Sequence, residues 1–293
     1  MKRFLIVGGN GQLAQALHAS APAEFECILA TREEVDITDA DSVRAAIERY
    51  RAEAVINGAA YNLVDAAEGE GMPAAVAINV RGVACLAHAC RDSGIPLVHF
   101  STDFVFDGRE RSPYTEEDPT GPLSTYGATK LAGENIALAS AERNMVVRVC
   151  RLFGPTAVPV AGANRKPAGS FPLLMLKLGR ERESLRIVSD QLGAPTYTPD
   201  LAAGVWQLLS AGATGLYQIS NGGEVSFDDY AREVFRLQGV SCRVESVTSE
   251  EFGAAARRPK YSVMSNDKAI AAGMTPLRDW RDALGEFLEN VKN

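Results

Sequence analysis

Over roughly the first 150 residues, short apolar runs alternate with stretches in which apolar residues recur every three or four positions. The runs at 4–7, 25–30, 54–57, 97–100 and 145–149 have strand length and little polar alternation, as in strands buried on both faces of a parallel sheet. The stretches at 12–20, 41–51, 74–93 and 124–139 carry helical periodicity. Strand and helix in regular succession predict βαβ crossovers and a doubly wound α/β sheet.

After Cys150 the rhythm breaks. Gly154-Pro155, followed by Pro159, Gly162, Pro167 and Gly169, marks an irregular connection where a second lobe is expected to begin. A helical stretch at 200–210 and the strand-like Gly215-Leu216-Tyr217-Gln218-Ile219 are expected to return to the first sheet. The chain thus divides into a nucleotide-binding domain of residues 1–154 plus 199–219 and a smaller, discontinuous substrate lobe of 155–198 plus 220–293.

Composition narrows the function. Hydrophobic residues at 46% and charged residues at 23% describe an ordinary folded chain. The net charge of -7, without a cluster of basic residues, argues against nucleic-acid binding. An anionic ligand must then be met by locally placed arginines. No apolar run reaches the roughly 18 residues of a membrane span, and neither a signal peptide nor a membrane anchor is expected. Cys27, Cys85, Cys90, Cys150 and Cys242 are odd in number and lack C-x-x-C spacing, which predicts free thiols in a reducing cytoplasm and no structural metal. His18, His88 and His99 are isolated and read as structural.

The segment from Val7 through Gly8, Gly9, Asn10, Gly11, Gln12 and Leu13 to Ala14 joins a predicted strand to a predicted helix. There a dinucleotide pyrophosphate would meet backbone N–H groups at the helix N-terminus. Gly8 permits the tight turn, Gly11 a close approach of backbone to phosphate, and Ala14 close packing of helix on strand. Beyond the second strand, Arg32 stands beside Thr31 where a 2′-phosphate would be held, which favours NADPH; the adjacent Glu33 leaves NADH open.

Tyr126 and Lys130 lie four apart on a predicted helix and project from one face. Reducing a ketone by hydride leaves an alkoxide that needs a proton, and tyrosine with an ordinary pKa near 10 is a weak acid-base catalyst at neutral pH. A neighbouring ammonium is expected to lower that pKa. Ser101-Thr102-Asp103 closes a strand at the end of the sheet where ligands bind, so the Thr102 hydroxyl is expected to polarise the carbonyl.

These motifs, with Asp36-Ile37-Thr38-Asp39, the run from Asn57 to Tyr61, Val64-Asp65, the run from Ser101 to Gly108, the run from Asp190 to Thr196, and Arg258-Pro259, resemble the dTDP-4-dehydrorhamnose reductases among the extended short-chain dehydrogenases, over nearly the whole chain. The resemblance implies a Rossmann-type fold, a catalytic set of Thr102, Tyr126 and Lys130, and NADPH as cofactor. It places Asp36 and Ile37 near the adenine, Ala59, Ala60 and Tyr61 along the pyrophosphate and nicotinamide, and Lys130 on the ribose. It implies a nucleotide-sugar substrate near Asn62, Val64, Asp103, Phe104, Arg151 and Arg258. Sugar-dehydrating relatives carry glutamate where this chain has Phe104, which argues against dehydration. Most members of the resembled family have tyrosine at Phe104, tryptophan at Arg151 and threonine at Asn62, so a deoxysugar other than the rhamnose precursor is expected. The glutamate through which some bacterial members bind magnesium corresponds to Ala16, so no metal is expected. The expected assembly is a monomer or homodimer. Two other readings share the fold: a regulatory subunit like the β subunit of methionine adenosyltransferase, and a sugar-nucleotide epimerase. The intact Thr102, Tyr126 and Lys130 weigh against the first, and the Thr-Asp-Phe context against the second.

Overall fold

The computed structural model describes residues 1–155 and 170–291, so the connection carrying Pro159, Gly162, Pro167 and Gly169 lies outside the described residues. Strands β1 (Lys2–Val7), β2 (Phe25–Ala30), β3 (Ala54–Asn57), β4 (Leu97–Thr102) and β5 (Met145–Val149) pair in parallel, and the later strand Gly215–Gln218 joins the edge beside β5. The sheet order is Gly215–Gln218, β5, β4, β3, β1, β2. β2 and β3 lie on opposite sides of β1, so the chain reverses direction across the sheet there, and a crevice opens at the carboxyl ends of β1 and β3.

Both faces of this sheet are buried, as the unbroken apolar runs required. Phe4, Ile6, Ile56, Val98 and Val147 pack on one face with Leu201, Val205 and Trp206 of helix Thr198–Ser210. Leu5, Val7, Val55, Leu97 and Val146 pack on the other with Val83, Leu86 and Ala137. Burying each large apolar side chain contributes about 1.5–3 kcal/mol, so the two faces carry most of the lobe's stability.

The helix expected over 74–93 is interrupted. It runs as Met72–Val76, a π-helical segment Ala77–Gly82, and Val83–Asp92. A Cβ on Gly82 would stand 2.7 Å from Ile37 Cδ1, so the wide turn packs tightly against the segment after β2. Met72–Asp92 is long and apolar enough by composition to cross a membrane, yet Val83, Leu86, Ala87 and Cys90 are packed into the core.

A second core unites Phe153, Met175, Leu185, Tyr197, Tyr230, Phe235, Trp280 and Phe287. It is built from helices Phe171–Glu181, Phe227–Gln238 and Trp280–Val291 against the parallel pair Ser184–Val188 and Arg243–Val247. One expectation is corrected: the 220–293 segment is not wholly in this lobe. Helix Asp267–Ala271 returns to the main sheet, where Ala269 and Met274 join its core. Gly204 makes the return feasible, since a Cβ there would meet Met274 Sδ at 2.8 Å.

Candidate active site

The glycine turn after β1 is shaped by contact. Gly8 has φ +75°, and a Cβ on it would lie 2.6 Å from Ala59 N, so the turn after β1 and the turn after β3 touch through it. Gly11 N donates to Gly8 O at 2.8 Å, and Gly9 N to Ala30 O at 2.9 Å. Helix Gln12–Ala19 begins at Gly11 with no side-chain cap, leaving first-turn N–H groups directed at the crevice. Asn10 sits in this turn, Leu13 is anchored in the core, and Gln12 Oε1 is buried without a protein partner.

Beyond β2, Arg32 is exposed and makes no hydrogen bond to the described residues. Asp36 Oδ1 accepts from Thr38 N at 2.9 Å and Thr38 Oγ1 at 2.7 Å, which holds its carboxyl below the ordinary range. Ile37 is buried beside it. After β3, Ala59 N donates to Asn57 Oδ1, and Ala60 is exposed. Tyr61 is fastened by Asn79: its N–H donates to Asn79 Oδ1 at 2.9 Å, and Asn79 Nδ2 donates to both Tyr61 O and Thr129 Oγ1. Asn79 sits in the π-helical segment, a feature frequent at functional sites, and it links the β3 turn to the residue before Lys130.

Helix Thr125–Ser140 starts under the Ser124 side chain, which accepts from Gly127 N at 3.1 Å. Gly127 permits contact with the end of β4: a Cβ would sit 2.3 Å from Phe104 O. Tyr126 and Thr102 are thereby brought together, and the Thr102 hydroxyl favours the phenolate form of Tyr126. Burial acts more strongly, with the Asp103 carboxyl in the same direction, and the phenol is pushed up to about 12. The expected lowering by Lys130 is not found. Lys130 is buried and its Nζ donates to Phe100 O at 2.5 Å, while burial brings its own pKa down to about 8. A proton-bearing phenol is the form that a reduction needs.

The expected substrate residues divide. Phe104 meets Tyr126 edge-on, centroids 5.8 Å apart, and Asn62 and Val64 lie on the partly exposed segment after Tyr61. Asp103 is buried and accepts from Thr102 Oγ1, Cys150 Sγ and Ser262 Oγ; burial raises its pKa. Its carboxylate is thus engaged by Thr102, β5's following residue Cys150 and the C-terminal segment. Arg151, at φ +45°, lays its guanidinium over the Phe227 ring at 3.8 Å and donates to Val225 O and Gln191 O. Arg258 is engaged by Asp65 through bonds of 3.0 and 2.6 Å.

A cleft of about 1480 Å³ extends through the second lobe from Leu123, near Tyr126 in sequence. Phe171, Leu185, Ile187 and Phe227 give it apolar walls, and Arg182, Arg257 and Arg258 a basic side. Thr102, Tyr126 and Lys130 are not among its lining residues. No group of His, Cys, Asp and Glu among the described residues is arranged to hold a metal.

The family model described as RmlD substrate binding domain matches residues 1–293. A dTDP-4-keto-6-deoxy-D-glucose reductase of Streptomyces niveus is 39% identical, covering 96% of this chain and 95% of that protein. A dTDP-4-dehydrorhamnose reductase of Streptomyces griseus is 38% identical over 97% of this chain and 92% of its own length. The crystal structure of dTDP-4-dehydrorhamnose reductase from Bacillus anthracis in complex with NADP superposes with TM-score 0.90 at 33% identity, covering 99% of this chain and 100% of that one. Full-length coverage, together with a Rossmann sheet that ends in the Thr102, Tyr126 and Lys130 constellation, places the chain in the dTDP-4-dehydrorhamnose reductase family of extended short-chain dehydrogenases.

Proposed function

We propose that this chain is an NADPH-dependent reductase of a 4-keto group on a nucleotide-activated, dTDP-linked deoxysugar. The observation that carries this reading is the convergence of Thr102 and Tyr126 at the end of β4, with Lys130 one turn below. The glycine turn fits a dinucleotide: its N–H groups are uncapped, Gly8 takes the left-handed conformation of a tight turn, and Gln12 Oε1 is an orphaned buried acceptor. Gly8, Asn10, Gly11, Gln12 and Leu13 would cradle the pyrophosphate, Arg32 the 2′-phosphate, Asp36 and Ile37 the adenine, and Ala59 to Tyr61 the nicotinamide side.

When bound, NADPH supplies a hydride to the carbonyl carbon. Tyr126 gives its phenolic proton to the resulting alkoxide oxygen, so a ketone becomes a secondary alcohol. The Thr102 hydroxyl, which accepts from Phe104 N and donates to Asp103 Oδ1, turns its proton to the substrate oxygen and orients it opposite Tyr126. Because Asp65 holds Arg258, the exposed Arg257 of the same cleft is the better guanidinium for the diphosphate. Residues 1–154 with 199–219 would carry the cofactor, and most of the remainder the sugar nucleotide. Five unpaired thiols suit a reducing compartment. Sedimentation velocity decides between monomer and homodimer.

NADPH oxidation with a panel of dTDP-4-keto-6-deoxy sugars, run beside Tyr126→Phe, tests the reading. Turnover that disappears in the variant supports it and identifies the sugar. NADPH binding without oxidation of any keto sugar would favour a regulatory subunit. Retained turnover in Tyr126→Phe would remove Tyr126 from the proton transfer.

A further inference from the structure

Helix Thr125–Ser140 packs on the sheet through a face that carries charge. Its buried positions include Gly127, Lys130, Glu134 and Ala137, so Lys130 and Glu134 stand one turn apart on the same buried face. Lys130 is 3% exposed and Glu134 1%. From β5, Arg148, also 3% exposed, closes on Glu134 with two bonds, Nε to Oε2 at 3.0 Å and Nη2 to Oε1 at 2.6 Å. Its guanidinium also lies over the Phe106 ring, 5.0 Å from the centroid.

Taking an ion pair this far from water costs several kcal/mol per charge, and apolar side chains of similar volume commonly serve stability as well or better. The pair's position gives it another use. The charged and titratable groups around Lys130 are few. Tyr126 and Glu134 stand on its own helix. On β4, burial and then the Lys130 ammonium disfavour the charged form of His99. On β5, Arg148 stands behind Glu134. Among these, Glu134 is the group that opposes the effect of burial and favours the ammonium. Arg148 in turn fixes the Glu134 carboxylate in direction by a two-point contact.

We propose that Glu134, clamped by Arg148, is a positioning residue for the reduction, holding Lys130 as a charged ammonium beneath Tyr126. The assignment rests on the reductase reading only for its consequence in turnover; its effect on Lys130 is a property of the protein without ligands. The fold thus supplies the active-site cation with a buried counter-charge of its own, independent of any charge on cofactor or substrate.

The test uses Glu134→Gln, Arg148→Met and the double change Glu134→Leu/Arg148→Met in the full chain. Two quantities are followed against pH: kcat for NADPH oxidation, and the ¹⁵N shift of the Lys130 ammonium in ligand-free protein, assigned by its loss in Lys130→Met. Glu134→Gln leaves a lone guanidinium near Lys130 and moves both the ammonium titration and the alkaline limb of kcat down by about one pH unit or more. Arg148→Met strips the carboxylate of its competing partner and moves both up. The double change moves both down by less than Glu134→Gln. A purely structural pair would lower activity equally at every pH and leave the titration where it was. If a single variant fails to fold, the double change, which removes both members of the ion pair together, carries the test; a folded double variant with an unchanged Lys130 titration overturns the proposal. Shifted titrations in a parent protein that oxidises NADPH with no keto sugar would remove the reductase reading and leave the pair's action on Lys130 standing.

Discussion

Arg258 grips Asp65 from the opposite lobe, its Nη1 and Nη2 donating to the two carboxylate oxygens at 3.0 and 2.6 Å, while Ala256 N donates to the same carboxylate at 3.1 Å. Ala256 and Arg258 line the second-lobe cleft, and Asp65 follows the β3 turn, so the contact ties the cleft wall to the nucleotide end. Asp65→Asn is expected to raise KM for the sugar nucleotide roughly threefold to tenfold, equivalent to about 1 kcal/mol, with kcat within twofold. Because Asp65 is half exposed, the melting temperature should hardly move. Steady-state kinetics and a thermal melt check this; an unchanged KM would show that the contact does not shape the cleft.

Removing one oxygen at Tyr126 should remove the acid and leave the site. Tyr126→Phe is expected to lower kcat by about 10² to 10⁴, the range for a positioned general acid, with NADPH affinity unchanged by fluorescence titration. The parent phenol, at about 12, stays protonated across the neutral range, so no limb of its pH profile below pH 10 belongs to Tyr126.

Lys130 leaves a signature in stability. Its pKa falls from 10.5 to about 8 on burial, so between these values the unfolded chain holds more protons than the folded one. Stability from this group therefore rises with pH through that window and is flat below it. Relative to Lys130→Met, whose other groups cancel in the comparison, the parent should gain about 3 kcal/mol between pH 8 and pH 10.5. Urea unfolding of both proteins at four pH values measures this, and a difference that does not vary with pH would contradict it.

Two glycines with similar backbone angles should respond differently to alanine. Gly8 (φ +75°) faces Ala59 N at 2.6 Å, whereas Gly212 (φ +73°) faces open space. Gly212→Ala should cost about 1–2 kcal/mol of stability and leave NADPH binding intact. Gly8→Ala carries the same backbone cost, pushes the turn after β3 outward, and should weaken NADPH binding roughly tenfold or more. Equal NADPH dissociation constants for the two variants would rule out the proposed role of the turn.

The sequence was most informative where one physical rule dominated. Runs such as 4–7 and 145–149 announced strands because strands covered on both faces tolerate few polar positions. Tyr126 and Lys130 were legible because four residues bring side chains to one helix face. What escaped depended on contacts distant in sequence. Asn79 looked like one polar residue in an apolar helix, and only the π turn shows it reaching Tyr61 and Thr129. Arg148 inside an apolar strand was a visible signal of a buried partner, but nothing local named Glu134. Arg258 was expected near the nucleotide sugar, and the acid that engages it, Asp65, lies 193 positions away. The expected drop in the Tyr126 pKa failed because the Lys130 ammonium is directed to Phe100 O and burial dominates the phenol.

The late strand Gly215–Gln218 also constrains how the molecule is made on the ribosome. β1 to β5 emerge first and can assemble in order, but the exposed edge of β5 stays open until the chain has passed Gln218. The second core waits longer, because Trp280, Leu284, Phe287 and Leu288 come from the final described helix. A nascent chain halted before Trp280 would display Tyr230 and Phe153 without their covering ring, a surface suited to chaperone capture. Ribosomal stalling or premature termination in that interval should therefore yield a sticky half-built intermediate with a nearly complete nucleotide end.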